Sequence, residues 1–271
     1  MNDKVVVITG ASSGIGRALA LEYAKRGASL SLAARRINLL NELKNELPEA
    51  NILIVQTDVT IESDCKNLID STINHFGGID ILINNAGLSM RALFDEIELK
   101  SFKQLMDVNF YGTVYCTKYA LPHLIKSKGS LVGIISVAGH VALPARSAYS
   151  ASKFAVRGFL DTIRVENRYN GLHVLVAAPG FTTSEVRKSA LTALGTPQGD
   201  TPRVEEKMMS AEQCAYLVAN SIEKRHRSLV LTFLFGKMSV FLGKFFPSMV
   251  DWFTFRLMER EPDSPLSKKL P

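Results

Sequence analysis

The stretch Val5-Val6-Val7-Ile8-Thr9-Gly10-Ala11-Ser12-Ser13-Gly14-Ile15-Gly16 decides the fold. Its first residues, all β-branched, read as a strand covered on both faces. A glycine turn follows at once. Beyond it, apolar residues recur at helical spacing from Ile15 to Arg26 and stop at Gly27, a helix-ending glycine. In this strand–turn–helix setting the Gly-x3-Gly-x-Gly spacing has a physical use. Gly10 permits a sharp turn out of the strand, Gly14 lets the backbone approach a pyrophosphate, and Gly16 lets the helix pack closely on the sheet. With Ser12, Ser13 and Ile15 the turn opens onto the positive end of a helix, where an anion is favoured. Alone, three glycines are an ordinary turn. Placed here, they predict a dinucleotide site.

Outward from this unit the alternation repeats. Strands are expected at Ser29–Ala34, Asn51–Gln56, Ile79–Asn84, Ser130–Ser136, His173–Ala177 and Leu229–Phe233. Helical spacing covers Leu39–Leu47, 62–76, 99–127, 149–169 and 211–225, the last opened by Ser210 and Gln213 as a capping box. Pro122 falls late in the 99–127 segment, where it is expected to kink the helix. Regular β-α-β alternation with near-continuous apolar strands implies one doubly wound parallel sheet of about seven strands, with helices on both faces. Residues 1–235 read as one dinucleotide-binding domain and 236–271 as an apolar helical extension of it. Residues 181–209 carry Gly195, Pro197, Gly199 and Pro202 without periodicity, the composition of a lid loop.

The second strand ends Ala33-Ala34-Arg35-Arg36. A carboxylate at this place would bind both ribose hydroxyls of NAD. None is present, and a guanidinium at Arg35 suits the 2′-phosphate of NADP. The expectation is NADP(H) in preference to NAD(H). The plain alternative is a solvated arginine pair opening the next helix.

Further along, Tyr149 and Lys153 lie four residues apart, so one helix presents both on the same face. A free tyrosine, with a pKa near ~10, is a poor base at neutral pH, and a neighbouring ammonium favours its phenolate. Ser136 ends a strand at the carboxyl edge, where open α/β sheets bind ligands. A Tyr-x3-Lys pair on its own is usually an ordinary surface pair.

These residues together resemble the short-chain dehydrogenase/reductase family. The match comprises Thr9-Gly10-x3-Gly14-Ile15-Gly16, Asn84-Asn85-Ala86-Gly87, Asn109, Ser136, Tyr149-x3-Lys153 and Pro179-Gly180, in order, from residue 5 to about 184. The resemblance implies a Rossmann-type sheet and interconversion of a carbonyl and its alcohol. Tyr149 would be the acid/base. Lys153 would bind the nicotinamide ribose and depress the Tyr149 pKa. Ser136 would orient the substrate carbonyl, and Asn109 would hold a water in a proton relay reaching Lys153. Asp58 and Val59 match an adenine-contacting pair, and Asn85, Ala86 and Gly87 line the cofactor floor. Pro179 and Gly180 would pass beside the nicotinamide, with Thr182 reaching its carboxamide. Ser184 stands where the family often has Thr, which keeps the hydroxyl. Homodimers or homotetramers through the helices bearing Asn109 and Tyr149 are also implied.

Composition sets the outer limits. The 271 residues are 46% hydrophobic and 21% charged, ordinary for a globular chain. The net charge of +6 is spread along the chain, whereas a nucleic-acid binder concentrates its charge on one face. Nucleic acid is therefore not expected as a partner. Cys65, Cys116 and Cys214 are far apart, as reduced thiols of a cytoplasmic protein would be, and no metal site is expected. The opening Met-Asn-Asp-Lys leads straight into the first strand, with no signal-like segment expected. Candidate substrate contacts are His140, Leu143 and Phe181, with Met90, Arg91 and Val141 nearby; most are apolar and suit a lipophilic carbonyl. Seven of the 14 Phe and the single Trp lie within residues 233–255. Phe241, Phe245, Trp252, Phe255 and Met258 fall at roughly helical spacing among Lys237, Lys244, Arg256 and Arg260. Three uses fit this tail: packing on its own domain and lid, dimerisation, or peripheral contact with a membrane. It resembles the extensions of family members that act on steroids or lipid-like ketones. A non-catalytic NADP(H)-binding sensor, or a membrane-associated module on the same fold, is the alternative to an enzyme.

Overall fold

A computed structural model describes residues 3–183, 189–199 and 208–269. Ser184 and much of the expected 181–209 lid lie outside the described residues. Seven parallel strands form one sheet in the order β3-β2-β1-β4-β5-β6-β7. They are β1 (Val5–Thr9), β2 (Ser29–Ala34), β3 (Ile52–Gln56), β4 (Ile81–Asn84), β5 (Ser130–Ile134), β6 (His173–Ala178) and β7 (Ser228–Val230). The order reverses between β1 and β4, and the crevice at that switch point is where ligands bind such sheets.

The strand sequences explain why helices cover both faces. Val6 and Ile8 of β1 enter one core with Leu19 and Tyr23 of α1 (Gly14–Lys25) and Val218 of α7 (Ala211–Glu223). Val7, one residue out of phase, enters a second core with Leu68 of α3 (Glu62–Phe76), Cys116 and Leu124 of α5 (Gly112–Lys126) and Leu160 of α6 (Ser147–Glu166). Side chains alternate along a strand, so a strand covered twice must be apolar throughout. The helix α2 (Ile37–Asn45) completes the first layer through Leu40 and Leu43. All three cysteines are buried.

The expected helix over 99–127 is interrupted. It comprises α4 (Leu99–Met106), a wide i→i+5 turn at Asp107–Tyr111, and α5. Such turns recur at functional sites, and this one carries Asn109. Pro122 is accommodated inside α5. Several edges move by a residue or more: β4 begins at Ile81, β5 ends at Ile134, and β7 is only Ser228–Val230.

The tail is also interrupted. A short α8 (Ser239–Leu242) is followed by α9 (Pro247–Glu259). The aromatic series expected on one helical stripe is therefore divided. Val250, Thr254 and Met258 are buried, and Phe255 packs partly against the inner cluster. Phe241, Phe245, Phe246, Met249 and Trp252 face outward and are exposed. Among the described residues no helix is long and apolar enough to cross a membrane.

Candidate active site

The cofactor end is built from backbone. The Thr9 hydroxyl accepts from the amides of Asn85 and Ala86 at 3.0 Å each, and the Asn85 side-chain amide donates to the Thr9 carbonyl at 2.9 Å. These bonds join the turn after β1 to the loop after β4. Gly10 has φ +66°, and a Cβ on it would lie 2.8 Å from the Ala86 Cα. A Cβ on Gly16 would lie 2.2 Å from the Gly10 carbonyl oxygen. The turn has no room for side chains at either position.

A cavity of about 580 Å³ opens at this point, within the range of small-molecule sites. Gly10, Ser12, Ser13 and Ile15 line one wall, with Arg35, Asp58 and Val59 at the outer end and Asn85, Ala86 and Gly87 as floor. Gly14 and Gly16 shape the turn and the start of α1 without lining the cavity. The Asp58 carboxylate accepts from the Thr60 amide at 3.0 Å and hydroxyl at 2.8 Å, which fixes it in the loop after β3. The sequence presents Arg36 only as the partner of Arg35 at a helix start. In the fold it donates to the Ser12 and Ser13 hydroxyls at 3.2 and 2.9 Å and also lines the cavity. Two guanidinium groups therefore stand at the outer end. The bare glycine turn, the helix N-terminus and this cationic rim fit a dinucleotide phosphate.

The same cavity continues to Ser136, Tyr149, Lys153, Pro179, Gly180 and Thr182. Ser136 caps a short helical turn, and its oxygen accepts from the Ala138 amide at 3.2 Å, so its hydrogen remains to donate elsewhere. Lys153 is buried; its ammonium donates to the Ile134 carbonyl at 2.9 Å and lies 5.8 Å from the centre of the Tyr149 ring. Burial lowers the Lys153 pKa to about 8. The cation thus persists at neutral pH beside the Tyr149 ring, and a cation so placed favours the phenolate over the phenol. Asn109 accepts from the Leu88 amide at 2.7 Å and donates to the Leu88 carbonyl and the Ser152 hydroxyl at 2.9 and 2.8 Å. Its side chain therefore braces the loop after β4 against α6. A Cβ on Gly87 would sit 3.2 Å from the Asn109 Oδ1 and 3.4 Å from the Lys153 Nζ, so this glycine separates the two groups by little more than its own backbone.

On the substrate side, Leu143 and Phe181 line the cavity with Met90, Arg91 and Val141. His140 does not. The turn at Val137–Gly139 points Val137 and Val141 into the cavity and leaves His140 beside it, with Nε2 buried and without a hydrogen-bond partner among the described residues. Its pKa falls to about 4, first through burial and then through the nearby Arg157. A loop histidine four residues after Ser136 gives no signal in the sequence of which way it points. Sequence reasoning also missed Arg146 and, from the tail, Thr254, Leu257 and Glu261, all of which line the chamber. Only the general idea of a tail packed on its own domain anticipated them.

A family model for short chain dehydrogenases matches residues 4–194. The chain belongs to the short-chain dehydrogenase family. It is similar to "11-beta-hydroxysteroid dehydrogenase A" of Arachis hypogaea, 38% identical across 98% of this chain and 79% of that protein. It is also similar to "11-beta-hydroxysteroid dehydrogenase 1A" of Arabidopsis thaliana, 37% identical across 92% of this chain and 74% of that one. Two solved structures share the fold. One is an alcohol dehydrogenase from the archaeon Thermococcus sibiricus complexed with 5-hydroxy-NADP, with TM-score 0.74 at 24% identity over 86% of this chain and 97% of that one. The other is a short chain dehydrogenase/reductase from Burkholderia phymatum in complex with NAD, with TM-score 0.76 at 24% identity over 84% of this chain and 88% of that one. The protein is an oxidoreductase of this family, whose members use NAD(P)(H) and act on CH–OH groups of small molecules.

Proposed function

We propose that the protein is an NADP(H)-dependent oxidoreductase interconverting a lipophilic ketone, of steroid size and shape, with its secondary alcohol. One observation carries this reading. One continuous cavity runs from the glycine turn and its arginine rim, past Ser136, Tyr149 and Lys153, into a chamber lined by Leu143, Phe181 and, from the tail, Leu257 and Met258. The names of the relatives support a steroid-like substrate.

In the reducing direction the Ser136 hydroxyl donates to the substrate carbonyl oxygen and holds it near Tyr149. When bound, the nicotinamide supplies the hydride. Tyr149 gives its proton to the developing alkoxide, and the Lys153 ammonium stabilises the phenolate that remains. In oxidation the phenolate takes the alcohol proton. Asn109 acts at one remove, because its bonds to Leu88 and Ser152 fix the spacing between loop and helix. A sensor would have no use for a proton donor in this position.

The exposed Phe241, Phe245 and Trp252 beside Lys244 favour a cytoplasmic protein that rests reversibly on a membrane surface, a source of lipophilic substrate. Exposed Tyr111 on the turn before α5, with Phe154 and Val165 on α6, supports a homo-oligomer through those helices. The test is a carbonyl panel from small aldehydes to steroid ketones, read as NADPH consumption by purified protein. The expected result is turnover of bulky ketones with a lower KM than for small aldehydes, and tighter binding of NADPH than of NADH. No turnover across the panel, or a preference for NADH, would overturn the respective part.

A further inference from the structure

We propose that Arg91, Glu261 and Arg146 form a latch that holds the tail as a wall of the substrate chamber, and that this latch sets the size of substrate the site accepts. The selectivity half rests on the carbonyl reading above.

The three side chains come from distant parts of the chain. Arg91 follows β4, Arg146 precedes Tyr149 by three residues at the start of α6, and Glu261 lies just beyond α9. They meet almost out of water, with side-chain exposures of 10%, 14% and 4% for Arg91, Arg146 and Glu261. The Glu261 Oε2 lies 3.5 Å from the Arg91 Nε and 3.3 Å from the Arg146 Nη2. Arg91 also donates to the Pro262 carbonyl, which ties the tail backbone to the same guanidinium. The segments bearing both arginines are themselves held by backbone: the Arg91 amide donates to the Leu191 carbonyl at 2.9 Å, and the Ala92 amide to the Ala145 carbonyl at 3.1 Å. The anchor is therefore fixed on the catalytic side, and the tail is the part that can leave it.

All three residues line the chamber, as do Leu257 and Met258 one turn earlier in the tail. Met258 also packs with Leu93, Leu266 and Phe181. Buried charges are tolerated in company and very costly alone. Without Glu261, two guanidinium groups would remain buried with that carboxylate gone. They recover water when the tail lifts, which removes Leu257 and Met258 from the chamber. A small carbonyl loses little by this, because Ser136 and Tyr149 stay in place. A bulky ketone loses the apolar wall against which its far end is buried.

The test uses the full-length, NADPH-loaded protein and its Glu261→Ala variant. Amide hydrogen exchange across 247–259 should quicken at least ~10-fold in the variant, with β1 and α1 unmoved. The KM for a steroid ketone should rise at least ~10-fold more than the KM for a small aldehyde, a margin well above measurement scatter. Glu261→Asp should recover part of both effects. Arg91→Leu should mimic them, and the double variant should be no worse than the worse single one. If Glu261→Ala does not fold, Glu261→Gln keeps the shape, removes the charge and takes its place. Unchanged exchange in the tail overturns the latch. Faster exchange with equal changes in both KM values overturns the selectivity. If the wild type reduces no carbonyl, the carbonyl reading and the selectivity fall, and exchange alone decides the latch.

Discussion

The two ends of the cavity are made of different material. Inside its arginine rim, the cofactor end is mostly bare backbone: Gly10, Gly16 and Gly87 leave room, and the Thr9 hydroxyl and Asn85 side-chain amide each bond to backbone and stitch two neighbouring loops. At the substrate end the wall is side chains brought together from a loop, a helix start and the tail, the latter two 115 residues apart in the Arg146–Glu261 pair. A wall made of backbone admits almost no substitution, because a bond or a steric limit has no second version. A wall made of packed side chains tolerates exchange if volume and charge are kept. The same fold can thus hold one cofactor and change its substrate.

Breaking the chemistry between the two ends should have the largest effect. Tyr149→Phe removes the proposed proton donor and keeps the ring, so turnover should fall by at least ~10²–10⁴-fold while NADPH binding survives. Near-normal kcat in a stopped-flow assay would sink the assignment. Gly16→Ala attacks the backbone end. Its new Cβ would meet the Gly10 oxygen at 2.2 Å, so a loss of about 1–3 kcal/mol in denaturant unfolding, with weakened NADPH binding, is expected. Among the described residues a Cβ on Gly158 in α6 would meet nothing within 4 Å, and Gly158→Ala should instead stabilise by about 0.5–1 kcal/mol. The arginine rim tests cofactor choice. Replacing Arg35 and Arg36 by leucine should weaken NADPH by ~10–100-fold in titration calorimetry and leave NADH within a few-fold, the range expected for lost charge-assisted bonds.

The substrate end should respond more selectively. Phe241→Ser, Phe245→Ser and Trp252→Ser in the full chain change only its outer face. Co-sedimentation with anionic vesicles should drop, while kcat/KM for a soluble aldehyde holds; equal partitioning of variant and wild type would remove the membrane contact. An effect confined to acid pH belongs to His140. In the unfolded chain it binds its proton near pH 6.5, and in the folded chain near about 4. The unfolded state therefore holds more protons between those values, and stability falls as pH drops through that window. His140→Leu should flatten the decline between pH 6.5 and 4 in thermal melts. An unaltered slope would show that His140 is not its source.

What the sequence revealed follows the same division. The sheet, its helices and the turn after β1 were legible because each depends on residues within a few positions of one another. The alternation of Val6, Val7 and Ile8 between two cores is written in three adjacent letters. Tyr149 and Lys153 were legible for a similar reason, since four residues make one helical turn. The Arg36 contact with Ser12 and Ser13 was hidden because it crosses between two β-α turns. The Arg91–Glu261–Arg146 cluster was hidden more deeply, since nothing near Glu261 distinguishes it from any charged residue at the end of a helix. The tail aromatics were visible as a composition, but the break between α8 and α9 decided which faced inward.

The wide turn at Asp107–Tyr111 gives chain length a meaning of its own. Each residue of an α-helix advances the chain by about 100°. The turn takes up one residue more than a regular helix would and still delivers α5 to the sheet in register. Deleting any residue between 107 and 111 would leave a more regular helix and force a choice: Asn109 rotates away from Leu88 and Ser152, or Cys116 and Leu124 rotate out of the core. In this segment the count of residues is constrained as tightly as their kind, and insertions or deletions here should be rarer than substitutions.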